Sequence, residues 1–258
     1  MSEIIFEIKD NIGVITLNRP DKFNAFTRSL ALQFQAALLQ CQTNNQVHVV
    51  LITGNGKAFC AGQDLAEVID PNGPGMEKIL REHFNPLVTQ IRNLTKPVVA
   101  AVNGVAAGAG ANIALCCDIV IAAQEASFIQ AFTKIGLIPD SGGTYTLPRL
   151  VGFARASALM LLGNKVSATE ALQMGMIFKV TALQNLYTDA ENICNTLAAL
   201  PGKALEYTKA ALNKSFTASF NEQLQHEDFY QQKAANTKDF KEGIAAFLEK
   251  RPPNFIGE

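Results

Sequence analysis

Residues 96–123, KPVVAAVNGVAAGAGANIALCCDIVIAA, read as a strand, a glycine-rich turn, a short helix and a second strand. The runs VVAAV and IVIAA are short, continuous and apolar, which is the pattern of buried strands. Between them Ala107 to Ala111 are all Ala or Gly, so the chain leaving the first strand presents backbone where a ligand can approach closely. Strand, turn and helix in this order imply an α/β architecture with its active loops at strand ends.

The same rhythm extends upstream. Residues 3–20, EIIFEIKDNIGVITLNRP, predict two short strands with a turn at Asp10-Asn11, ended by Pro20. Residues 27–44 place apolar side chains at helical spacing behind a capping Thr27, and VHVVLITGNG (47–56) predicts a buried strand running into a glycine turn. From about residue 200 the pattern changes. Segments 203–216, 220–237 and 238–252 read as consecutive amphipathic helices with no strand between them. The expected organisation is therefore a core over 1–199 and a helical region over 200–258. Helices with apolar faces and no sheet of their own must pack on the core or on another subunit, so a homo-oligomer is expected.

With 258 residues, 48% hydrophobic and 17% charged, the chain can bury a substantial core. A net charge of −1 gives no global field for polyanions, so nucleic acid is not an expected partner. The acidic, alternating start lacks the basic and apolar regions of a signal peptide, and no apolar stretch reaches the roughly 20 residues of a membrane span. A cytoplasmic protein is the expectation. Cys41, Cys60, Cys116, Cys117 and Cys194 are odd in number and lack CxxC spacing, so neither a disulfide framework nor a metal site is indicated. They read as core filler.

Three loops invite a chemical reading. GKAFCAGQDL (56–65) and NGVAAGAGAN (103–112) follow strands, although each also reads as an ordinary strand-to-helix turn. Gly108 and Gly110 give half of a dinucleotide fingerprint, but the third position is Ile113, and no acidic residue follows where a ribose would need it. IGLIPDSGGT (135–144) contains Asp-Ser-Gly-Gly, which in an all-β protease surrounds a nucleophilic serine. Alternating strands and helices, and the missing G-x-S-x-G elbow, argue against that chemistry. The available bases, His48, His83 and His226, read as strand-edge or helix-surface residues. Asp140 remains either a turn residue or the reactive group.

Taken in order, NRPDKFNAF, GKAFCAGQDL, KPVVAAVNGVAAGAGANIALCCD, GLIPDSGGTYTLPRLVG, ALMLLGN, SATEALQMGMI and AFLEKRPPNF resemble the enoyl-CoA hydratase/isomerase (crotonase) superfamily along essentially the whole chain. GAGAN with IPDSGGT is most similar to the phenylacetate-pathway isomerases of ring-1,2-epoxyphenylacetyl-CoA, which also shift enoyl-CoA double bonds. The resemblance implies a repeated ββα spiral, a helical oligomerisation region, and acyl-CoA thioesters as substrates. CoA is then part of the substrate, with no separate cofactor and no metal. It also implies trimers that pair as hexamers.

By motif position, the backbone N–H groups of Gln63 and Ala109 would hold the oxygen of a thioester enolate, the second helped by the helix dipole. CoA would lie along Phe23 to Ala25 and Ala61 to Leu65, including Asp64, with Phe247 and Lys250 closing over it from the same or a neighbouring subunit. Hydration uses two glutamates in this site, whereas here their positions hold Asn112 and Phe132. The carboxylate that reappears is Asp140, walled by Phe132, Leu137 and Ile138, and it would shuttle a proton. Asn112 would hydrogen-bond the substrate or simply pack at the helix end. Hydration through Asp140 and a water, or non-catalytic binding of acyl-CoA or RNA, are the alternatives.

Overall fold

The computed structural model describes residues 2–257. A first sheet runs in the order β1 (Ile4–Lys9), β2 (Ile12–Leu17), β3 (Val49–Gly54), β5 (Val98–Val102), β7 (Ile119–Ala123), β10 (Lys179–Thr181). A second runs β4 (Ala58–Cys60), β6 (Val105–Ala107), β8 (Ser127–Ile129), β9 (Lys165–Ser167). β1 and β2 pair antiparallel about Asp10 and Asn11, whose φ values of 49° and 64° make the two-residue turn that suits twisted strands. The remaining pairings of this sheet are parallel. β5 is accordingly buried along its whole length, as strands covered on both faces must be.

The repeat is visible in the connections. β3 is followed by β4, β5 by β6 and β7 by β8, each pair stepping from the first sheet to the second before the chain leaves. That stepping is the ββα spiral. β6 is a correction to the reading of residues 96–123, which placed a glycine-rich turn and no strand between the first strand and the short helix. Three residues are too few to show a period, and Val105–Ala107 form a strand by pairing with β4 and β8.

Helices fill the turns of the spiral. α1 (Arg28–Thr43) is capped by the Thr27 hydroxyl, which accepts the Leu30 N–H at 3.1 Å, and it buries Leu30, Phe34, Leu38 and Cys41 along one face. α2 (Leu65–Ile69), α3 (Gly75–Lys78) and α4 (Asn85–Asn93) follow β4, with a π-helical segment at Ile79–Phe84 between the last two. α5 (Ala109–Leu115) lies between β6 and β7, and every one of its residues is buried. α6 (Gly143–Val151), α7 (Phe153–Leu162) and α8 (Ala168–Gln173) come next, and α9 (Leu186–Ala198) packs against β3, β5 and β7.

The tail consists of α10 (Gly202–Ser215), α11 (Phe220–Ala235) and α12 (Lys238–Glu249). α10 is fixed to the core through Lys209, which is 8% exposed. Its ammonium lies 2.7 Å from the Asp118 carboxylate and donates to the carbonyls of Ile91 and Lys96 at 3.0 and 3.2 Å. Further out the tail leaves Phe220, Phe247 and Leu248 exposed.

All five cysteines are free and buried, and burial pushes the thiols of Cys41, Cys60 and Cys194 up to about 12. Among the described residues no helix is long and apolar enough to cross a membrane.

Candidate active site

The loop leaving β4 lies along residues 23–26. Ala61 N–H donates to Phe23 O at 2.9 Å, Phe26 N–H to Gly62 O at 2.7 Å, and Asp64 N–H to Phe26 O at 2.8 Å. Phe26 thereby bonds both neighbours of Gln63 in a parallel bridge, and this turns the N–H of Gln63 itself away from Phe26. Gly62, at φ +92°, presses this loop onto the next turn of the spiral. A Cβ there would sit 3.0 Å from the Ala107 carbonyl oxygen and 3.5 Å from the Ala109 nitrogen.

Ala109 opens α5, so its N–H has no acceptor within the helix. Gly108 before it adopts φ 53° and ψ −127°, a conformation open in practice only to glycine. Gly110 leaves no clearance, since a Cβ would lie 2.4 Å from the Cys60 carbonyl oxygen. The two donors expected from the motifs therefore stand on adjoining loops from successive turns of the spiral. α5 has only seven residues, so its dipole adds little to the unpaired N–H groups at its start.

The turn that carries Asp140 is fastened to α5 through its backbone. The side-chain N–H of Asn112, one helical turn after Ala109, donates to the Asp140 carbonyl at 2.9 Å. The turn is closed by Gly143 N–H, which donates to the same oxygen at 2.8 Å, and Ser141 within it takes φ 51°. Burial pushes the Asp140 carboxyl up to about 6, against the opposing pull of the Ser141 hydroxyl and its own backbone N–H. The walls differ from those expected. Phe132 is buried, but Leu137 is 36% and Ile138 81% exposed, because the 3-10 turn Ala131–Ile135 ends at a left-handed Gly136 that carries the chain outward.

Ser141 is 1% exposed, and its hydroxyl donates to Asp140 Oδ1 at 2.8 Å. It serves the carboxylate, and a hydrolase reading has no support here. His83 is a further correction. Expected on a helix surface, it is fully buried in the π-helical segment, with Nε2 3.3 Å from the Arg28 guanidinium and its own titration lowered first by burial.

Of the expected CoA contacts, Phe23 and Ala25 on one side and Ala61, Asp64 and Leu65 on the other lie together, with Phe23 and Leu65 about half exposed. Arg19 fastens the two segments, bonding the Ala25 carbonyl and the Asp64 carboxylate, the latter at 3.0 Å. Asn112 is 1% exposed, and its amide is engaged inside the protein. Phe247 lies in α12, which packs on α11, and is exposed, while Lys250 is the left-handed residue that caps the end of this helix. Sequence reading passed over Arg19, although it sits in the quoted NRP. It also passed over Glu67, which accepts from the Gln63 side chain at 2.7 Å, and over Gln130, 5% exposed against Asn112.

A model of the family "Enoyl-CoA hydratase/isomerase" matches residues 7–258. The chain belongs to this family. Among its hydratase/isomerase relatives is the 1,2-epoxyphenylacetyl-CoA isomerase of Escherichia coli (strain K12), 43% identical with both chains covered completely. A Rhodobacter capsulatus relative that bears the name "Probable enoyl-CoA hydratase" is 42% identical over 98% of each chain. The solved enoyl-CoA hydratase of Bacillus anthracis superposes with a TM-score of 0.92 at 34% identity, covering 99% of this chain and 100% of that one. Family membership makes the protein a CoA-thioester enzyme, an isomerase or a hydratase, on the crotonase fold.

Proposed function

We propose that the protein isomerises acyl-CoA thioesters through an enolate, with Asp140 as its single acid/base group. The reaction is a 3-enoyl to 2-enoyl shift, or the rearrangement of ring-1,2-epoxyphenylacetyl-CoA to the oxepin. One observation carries this reading: Asp140, whose backbone carbonyl is tied to α5 through Asn112, has its carboxyl raised by burial to about 6, while the positions to which the resemblance assigns the hydratase glutamates hold Asn112 and Phe132. A base poised near working pH removes a proton from carbon and returns it elsewhere. Gln63 and Ala109 N–H groups take up the charge that develops on the thioester oxygen. CoA lies along Phe23–Ala25 and Ala61–Leu65, and CoA is the only non-protein group required.

A second reading, hydration with Asp140 activating a water, is favoured by the relative of nearly equal identity that bears a hydratase name. One preparation assayed on a 3-enoyl-CoA and on crotonyl-CoA decides between them. Isomerisation is expected to be the faster; faster hydration reverses the assignment.

The pH profile is a separate check. Asp140 must be ionised to accept a proton, so the isomerisation rate should rise with pH through about 6 and level off above it. Ser141→Ala removes a hydrogen bond that favours the ionised form. The midpoint should move to higher pH, while the plateau keeps most of its height. A midpoint unchanged in Ser141→Ala, or a plateau lost altogether, contradicts this role.

Exposed Phe220, Phe247 and Leu248 on the tail support assembly into trimers or their hexameric pairs. Light scattering should find such an oligomer. A monomer with normal CoA affinity would also remove any role of Phe247 and Lys250 across a subunit boundary.

A further inference from the structure

We infer that Gln130 is a positioning residue for Asp140, acting through Asn112. The inference rests on the reading of Asp140 as the base. Its ground is a relay of three groups, two of them buried side-chain amides, whose polarity is dictated from one end. A backbone carbonyl can only accept, so Asn112 must present Nδ2 to the Asp140 oxygen, at 2.9 Å. Its Oδ1 then faces the other way and needs a donor. Gln130 supplies Nε2 at 2.7 Å, and with that the orientation of both amides is determined.

The relay is rigid. Asn112 and Gln130 are 1% and 5% exposed, so water does not compete for these bonds. Gly143 is packed against the Asn112 amide so closely that a Cβ there would lie 2.3 Å from Nδ2. The far end, Gln130, follows β8, whose Ile129 carbonyl accepts the N–H of Gly108, the residue before the donor Ala109. One stretch of chain therefore supports both the oxyanion turn and the turn that carries the base. Where the resemblance places a hydratase carboxylate, Asn112 serves here as a strut.

Gln130 accepts a cost for this task. Its Oε1 is buried without a partner, and a buried unpaired carbonyl is normally avoided. Reversing the amide to relieve it would set two oxygens, Gln130 Oε1 and Asn112 Oδ1, against each other. The arrangement persists because the Asp140 carbonyl has fixed Asn112 first.

The test is a double-mutant cycle on the double-bond shift. Gln130→Met keeps length and burial but loses the donor. Alone it should lower kcat about tenfold with KM for the acyl-CoA within about twofold. In the Asp140→Asn background it should lower the residual rate no further, since groups acting through one residue are not additive. A full tenfold loss in that background, or no loss in the wild-type background, overturns the inference. Full activity of Asp140→Asn alone overturns instead the assignment of the base.

Should Gln130→Met fail to fold, Asn112→Asp provides the second arm. The new carboxyl can bond the Asp140 carbonyl only while protonated, so the rate should rise as Asp140 ionises and fall again as the new carboxyl loses its proton, a bell in place of the wild-type plateau. A wild-type pH profile in Asn112→Asp would rule out the relay.

Discussion

Asp140→Asn should reduce the 3-enoyl to 2-enoyl shift by about 10²-fold or more while CoA-thioester affinity stays near wild type, the usual scale for losing a general acid–base group. The change preserves size and the acceptor for Ser141, and the CoA segments around Phe23 and Ala61 are untouched. Incorporation of solvent deuterium should fall in parallel. The double-bond shift is the informative assay because it cannot proceed without proton transfer. Near-normal isomerisation by a folded, CoA-binding variant would leave Asp140 as a turn residue only.

The same substitution has a consequence for stability. Burial raises the Asp140 pKa from the ordinary aspartate value of 3.8 to about 6 in the folded protein. A raised folded-state value means stability present below about pH 4 is lost as pH climbs through 6. Above pH 6 the variant, having no charge to bury, should be more stable than wild type, by about 1–3 kcal/mol at most. Thermal unfolding at pH 5 and pH 8 reads this directly, as a difference that grows with pH.

Gly110→Ala should be as damaging to catalysis without touching an ionisable group. Its new methyl would meet the Cys60 carbonyl at 2.4 Å and the Cys60 side chain at 2.7 Å, backbone and core atoms that cannot swing aside. Relief requires α5 to shift from β4, which separates Ala109 from the Gln63 loop. Losing one oxyanion donor typically costs 10²–10³ in kcat, and overpacking adds about 1–3 kcal/mol of instability. Comparing kcat with Tm separates the two effects. A destabilised variant with full kcat would show that these amides do not form the oxyanion site.

Much of this was legible because it depends on local pattern. Apolar runs fixed β3, β5 and β7, Thr27 announced α1, and Asp10-Asn11 placed the hairpin, each a matter of neighbouring residues. The spiral was legible only through family resemblance, since strands such as Val105–Ala107 acquire their identity from partners distant in sequence. The same distinction runs through the site. Gln63, Ala109 and Asp140 lie in glycine-marked loops, whereas nothing around Gln130 signals that it will meet Asn112, 18 positions away. His83 read as a surface group because the charges around it, Arg81 and Glu82, face outward and hide that its ring points inward. Leu137 and Ile138 read as walls because an apolar pair looks buried until the left-handed Gly136 turns it outward.

The five shielded thiols make the molecule its own reporter of opening. A reagent that attacks only thiolates finds almost none in the native state, because the groups are enclosed and burial disfavours their ionisation. Reaction at a given sulfur therefore counts the moments at which its surroundings part. Cys60 lies under Gly110 at the start of α5, Cys116 is 3.5 Å from the Ser141 carbonyl, and Cys41 and Cys194 are in α1 and α9. The sequence thus distributes timers over the candidate site's loops and the scaffold, and their relative rates distinguish loosening of the site from unfolding of the whole.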